Sequence, residues 1–163
     1  MRTAIILLAA AAALMAESAA GLSWTAPAGW TSKGATPMRA ATYTVGDAEC
    51  VVYFFGEGQG GSVEANMTRW KGQFTVNGQP APAKTATKTL NGLKASTLDI
   101  TGNYAGMGGP TMAPLAPKAD YRMLAAIVEG PGGNIFVKFT GPVKAITANM
   151  AKYEVLLNSI HKG

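Results

Sequence analysis

The sequence predicts an α+β domain, a largely antiparallel β-sheet with two main amphipathic helices packed on it. Three observations lead there. Asn91-Gly92 lies between two strand-like runs, the strongest short signal for a two-residue hairpin, and Gly130-Pro131-Gly132-Gly133 separates another such pair. Two further stretches, 62–74 and 142–160, carry apolar residues at helical spacing. The order is therefore strands, helix, four strands, helix. Hairpins dominate over alternating βα units, which makes the strands antiparallel neighbours.

The chain has 163 residues, 48% of them hydrophobic and 14% charged, which suits one ordinary domain and is too apolar for a disordered chain. Residues 1–20 read as a secretory signal peptide. Met1-Arg2 gives a basic start, 4–16 is apolar, and Ser18-Ala19-Ala20 places small residues at −3 and −1 of a cut before Gly21. An apolar helix over 4–16 would rise only about 20 Å, short of the hydrocarbon core, so no transmembrane span is expected once the signal is removed. The remaining residues, 21–163, form a single domain, secreted or periplasmic. The single Cys excludes an internal disulfide framework or a Cys-cluster metal site, and suits an oxidising compartment.

The elements follow in order. Residues 22–24 form a short strand, with a turn at Ala26-Pro27-Ala28-Gly29 before Trp30. Strands over 38–45 and 49–55 flank Gly46-Asp47. The second is apolar on both faces, with Val51, Tyr53 and Phe55 on one and Cys50, Val52 and Phe54 on the other, so it is expected to be covered on both. Ser62 caps a helix whose Val63, Met67, Trp70 and Phe74 fall within about 60° of arc. Strands over 84–90 and 93–101 pair across Asn91-Gly92, and the two-residue loop sets Leu90 opposite Leu93 and Lys84 opposite Asp99. Strands over 121–129 and 134–140 form the next hairpin. Pro142 opens a closing helix with Val143, Ile146, Met150, Tyr153, Leu157 and Ile160 on its apolar stripe.

At this point the chain resembles a known group. Trp24-x-x-Pro27-x-Gly29-Trp30, the helix Asn66-Met67-Thr68-Arg69-Trp70 after a hairpin, and the closing helix look like the PsbP-like fold group. That group includes the extrinsic photosystem II subunit and small exported bacterial proteins of unassigned role. The resemblance covers the element order over most of residues 22–160 and implies a PsbP-like α/β/α sandwich. It carries over no catalytic residues, and because members bind different partners it implies no activity.

Several motifs invite functional readings. Gly56-Glu57-Gly58-Gln59-Gly60-Gly61 matches the dinucleotide fingerprint between a strand and a helix. That fingerprint needs a following parallel strand and an acid about 20 residues on. Residues 65–98 hold no Asp or Glu and continue into a hairpin, so a flexible connection is the favoured reading. The same acid-free stretch carries Arg69, Lys71, Lys84, Lys88 and Lys94. With Trp70 directed into the core and no nucleic-acid motif, it reads as a mildly basic surface, and nucleic acid is not expected as a partner.

Catalytic machinery is sparse. His161 lies near the end of the chain, Cys50 is expected to be buried and inert, Ser62 is a helix cap, and the carboxylates are scattered. No catalytic residue, cofactor or metal is therefore assigned. Residues 102–118, with four Gly, three Pro and two Met, read as a long surface loop. Copper ligation by Met107 and Met112 lacks a His or Cys partner. The loop is instead the candidate partner-binding segment, through Tyr104, Met107, Met112 and Leu115, and its partner is an envelope protein or an anionic surface. The expected function is that of an exported non-enzymatic binding or interaction module. The alternative is a hydrolase or cofactor-dependent enzyme whose site is assembled only by the fold.

Overall fold

The computed structural model describes residues 16–108, 113–114 and 116–163. The chain opens with β1 (Ala16–Ala19), β2 (Leu22–Thr25) and β3 (Thr31–Ser32), then the hairpin β4 (Arg39–Val45) and β5 (Ala48–Tyr53). Helix α1 (Val63–Lys71) leads into β6 (Phe74–Val76), β7 (Gln79–Pro80), β8 (Ala83–Leu90) and β9 (Leu93–Tyr104). After β10 (Met107–Gly108) and β11 (Ala113–Pro114) come the long hairpin β12 (Lys118–Gly130) and β13 (Gly133–Pro142). Helices α2 (Val143–Ala148) and α3 (Met150–Ser159) and strand β14 (His161–Lys162) follow.

A nine-stranded sheet runs in the order β3-β4-β5-β13-β12-β9-β6-β7, with β8 pairing to β9, and its neighbouring strands are antiparallel throughout. Its two faces bury different sets of side chains. One face packs Tyr43, Cys50, Leu124, Val137 and Phe139 against Ile146 of α2, Tyr153 and Leu157 of α3, and Leu22 and Trp24 of a small sheet β1-β2-β14. The other packs Leu98, Ile100, Met123, Ile127 and Phe136 against Met67 and Trp70 of α1. Helices thus cover both faces, as the α/β/α sandwich requires.

The register across Asn91-Gly92 is the expected one, Leu90 opposite Leu93 and Lys84 opposite Asp99. Cys50, Val51 and Val52 are all buried, so β5 is covered on both faces. Two helical readings change. Helix α1 starts at its predicted cap, where the Ser62 hydroxyl accepts from the Ala65 amide at 3.0 Å, but it ends at Lys71. Gly72 closes it by donating to the Thr68 carbonyl, and Phe74, expected on the helix stripe, begins β6 and is fully buried there. The closing helix is two helices. Asn149, at φ −112° and ψ 10°, turns its side-chain amide back to the Ala145 carbonyl at 2.9 Å, a local bond that competes with the helical ladder.

Both ends of the segment 102–118 belong to strands. Strand β9 continues to Tyr104, β12 begins at Lys118, and β10 pairs with β11 through Met107 opposite Pro114 and Gly108 opposite Ala113. The residues before the expected cut at Gly21 form β1, antiparallel to β2, and the Gly132 amide donates to the Ala20 carbonyl at 2.9 Å. Among the described residues no helix is long and apolar enough to cross a membrane.

Candidate functional site

Alternation along the strands decides which side chains share a face. On the face that carries α1, Tyr104 and Ile100 of β9 lie beside Tyr121 and Met123 of β12. Phe136 and Lys138 of β13 sit opposite Ile127 and Ala125, and Tyr53 and Val51 of β5 sit opposite Phe136 and Lys138 in turn. Arg39 of β4 pairs with Tyr53 across a bulge. Because α1 is only nine residues long and contacts chiefly β9, the face beyond it is left to these aromatic and basic side chains.

The rings form a wall of two stacked groups on this face. Tyr104 packs on Phe74 with centroids 4.9 Å apart and stacks on Tyr121 at 5.8 Å and 6°. Tyr53 stacks on Phe55 at 5.8 Å, Phe55 meets Phe136 at 5.5 Å, and Trp70 meets Phe136 edge-on. Cations line the same wall. Arg39 lies 5.5 Å over the Tyr53 ring, the Lys118 ammonium 5.4 Å over Tyr121, and the Lys138 ammonium 5.7 Å over Trp70. Tyr53, Tyr104 and Tyr121 are half-buried, and burial raises the phenol pKa of Tyr53 and Tyr104.

Lys138 is the unusual member. It projects from a central strand, so burial pulls its pKa down to about 8, with Arg69 and Arg39 adding to the depression and Glu49 opposing it. Glu49 is itself held by Arg39 at 3.4 Å. The Arg69 guanidinium donates to the Asn66 amide oxygen, a neutral acceptor.

Of the residues read from sequence as the binding segment, the structure brings Tyr104 into this wall. Tyr104 is an end-of-strand residue packed on Phe74 and Tyr121, not a free loop side chain. Met107 is in β10, while Met112 and Leu115 lie outside the described residues. Arg39, Tyr53 and Lys138 were missed. A signal for Lys138 existed, since it is the one charge inside the apolar run Ile135-Phe136-Val137-Lys138-Phe139, but its meaning depends on strands β5 and β12 beside it.

The other motifs take structural places. Gly60, at φ +93°, has no room for a Cβ, which would lie 2.7 Å from Phe55 and 2.9 Å from Phe136, so ring packing accounts for a glycine there. The strand after α1 pairs antiparallel, and the parallel βαβ frame of a dinucleotide site is not formed. Cys50 is buried and its thiol pKa is pushed far up, which suits an inert side chain. On the opposite face a depression of about 180 Å³ between α3 and β8 contains Asp99. Arg122 takes both oxygens of that carboxylate, at 2.9 and 2.7 Å, and Lys88 pairs with Glu154 across the opening at 3.0 Å.

A sheet of this order between helices is a PsbP-like α+β fold. The solution structure of cyanobacterial PsbP (CyanoP) from Synechocystis sp. PCC 6803 superimposes with a TM-score of 0.56 over 92% of each chain, at 14% sequence identity. At that identity the likeness is one of fold. No protein-family model matches the chain, and no curated protein does.

Proposed function

We propose that this chain is an exported, non-enzymatic binding module of the extrinsic kind. It takes an envelope protein or an anionic surface on the aromatic and basic face that carries Tyr104 and Tyr121. The observation that carries this reading is the half-buried wall of Tyr53, Tyr104 and Tyr121 with Arg39 and Lys138 on one sheet face. Tyr, Trp and Arg are the residues that dominate binding energy at protein interfaces. The PsbP-like fold supports an extrinsic protein, and the layout of residues 1–20 supports export. Both carboxylates in the α3–β8 depression are engaged by cations, Asp99 by Arg122 and Glu154 by Lys88, which argues against hydrolytic chemistry there.

The test is capture from the cell envelope with the intact chain, with Tyr104→Ala, and with residues 107–116 replaced by a short Gly/Ser linker. Loss of one specific partner in both variants, with folding retained, is the expected result. Unchanged capture by both would move the site off this face.

A further inference from the structure

We infer that Lys138, with Arg69 and Arg39, is a receptor for a carboxylate carried on an aromatic or aliphatic body, either a free organic acid or an acidic peptide side chain. The inference rests on the reading of this face as the binding surface. The chain has nine Asp and Glu residues, and those within 4.0 Å of a cation are Glu49 with Arg39, Glu154 with Lys88, Glu129 with Lys94, and Asp99 with Arg122. Glu17 serves the Tyr43 hydroxyl, and Asp47, Glu57, Glu64 and Asp120 are exposed elsewhere. Neither Lys138 nor Arg69 has a carboxylate partner among the described residues.

A largely buried ammonium without a counter-ion is costly, and the indole face beneath it offsets only part of that cost. Arg69 and Arg39 add like charge, and Glu49, already shared with Arg39, leaves the cluster net positive. An oxyanion placed among the three cations would relieve this, and guanidinium forks match a carboxylate in two-point contact. The rest of the ligand meets rings rather than donors, the part-exposed Tyr53 under Arg39 and Phe55 stacked on it, while Trp70 and Phe136 lie buried beneath. A hydrated dianion suits such a wall poorly, and Glu49 repels it more strongly than it repels a single charge.

The experiment follows the side-chain NMR signals of Lys138 in the folded chain during pH titration, alone and with benzoate, a blocked hexaglutamate peptide or inorganic phosphate. Benzoate or the peptide is expected to raise the Lys138 midpoint, about 8 in the free protein, by at least half a pH unit and to shift the Trp70 indole N–H. Lys138→Met and Arg69→Gln are each expected to weaken that carboxylate at least tenfold, with near-UV circular dichroism unchanged. A response to benzoate identifies a free acid as sufficient, and a response to the peptide alone identifies the side-chain source. The proposal is overturned if neither carboxylate moves the midpoint, if phosphate moves it as strongly, or if Lys138→Met binds as well as the parent. Capture lost with Tyr104→Ala while no carboxylate binds would sink this inference and leave the binding-face reading standing.

Discussion

Replacing Trp70 with alanine removes an indole that is 2% exposed and meets Phe136 edge-on. The expected loss is about 3–5 kcal/mol in urea unfolding, as for other large-to-small changes in a core. That burial was legible in the sequence because a helix repeats every 3.6 residues, and one stripe fixes which way Trp70 points. Lys138 was not legible, since a strand's period of two says only that a residue faces one side, and here both sides are covered. Its depressed pKa has a stability consequence with a definite sign. Below about pH 8 folded and unfolded chains both hold the proton, and the fold bears the cost of the buried charge. Between about 8 and 10 the folded chain releases it first, so stability rises with pH, by up to about 3 kcal/mol from this group. Above about 10 the trend reverses, because Tyr53 and Tyr104 keep their protons in the fold while unfolded phenols ionise. Denaturant midpoints measured across pH 7–11 are expected to show that maximum, and Lys138→Met is expected to remove the rising limb.

At the scale of elements, the β8–β9 hairpin was readable to the residue because Asn-Gly admits one loop length and therefore one register. What local signals left out was the second task of Asn91. At φ +47° it makes the turn, and its side-chain amide also donates to the carbonyls of Asn158 and Ile160 at 3.0 and 2.8 Å, tying the hairpin to the end of α3. Asn91→Gly keeps the turn and loses the tie, so it is expected to cost about 1–2 kcal/mol. Asn91→Ala loses both and is expected to cost more, and chemical denaturation of the pair separates the two contributions. The split between α2 and α3 was hidden for a related reason. The apolar stripe runs on across Asn149, and only the side-chain bond to Ala145 shows where the ladder yields. Gly and Pro are poor strand formers, so a single loop is the sequence expectation for residues 102–118, yet β9 and β12 extend into the segment as partners of one another. The part that remains between them is expected to contribute little stability. Replacing 107–116 while keeping Ala105, whose amide donates to the Gln73 carbonyl at 2.9 Å, should leave the thermal midpoint within a few degrees.

For the molecule as a whole, the α+β class followed from hairpin signals, but the order of strands across the sheet did not. Placing β13 between β5 and β12 joins the first hairpin to the last, and such pairings between distant segments leave no local trace. The small sheet β1-β2-β14 is of the same kind, since it sets residues near the two ends of the chain on either side of β2. If the proposed cut precedes Gly21, β1 leaves with the signal, along with the Ala20 carbonyl that accepts from Gly132 and the Glu17 carboxylate that accepts from Tyr43. A chain beginning at Gly21 is then expected to be less stable than one beginning at Ala16 by about 1–3 kcal/mol in urea unfolding. The arrangement also gives leader removal a signature that needs no mass measurement. Amides of β2 turned toward β1 would trade slow deuterium uptake for fast, while those turned toward β14 would keep theirs. The ratio of the two rates within Leu22–Thr25 would then report, from a single folded sample, what fraction of the molecules still carries the leader.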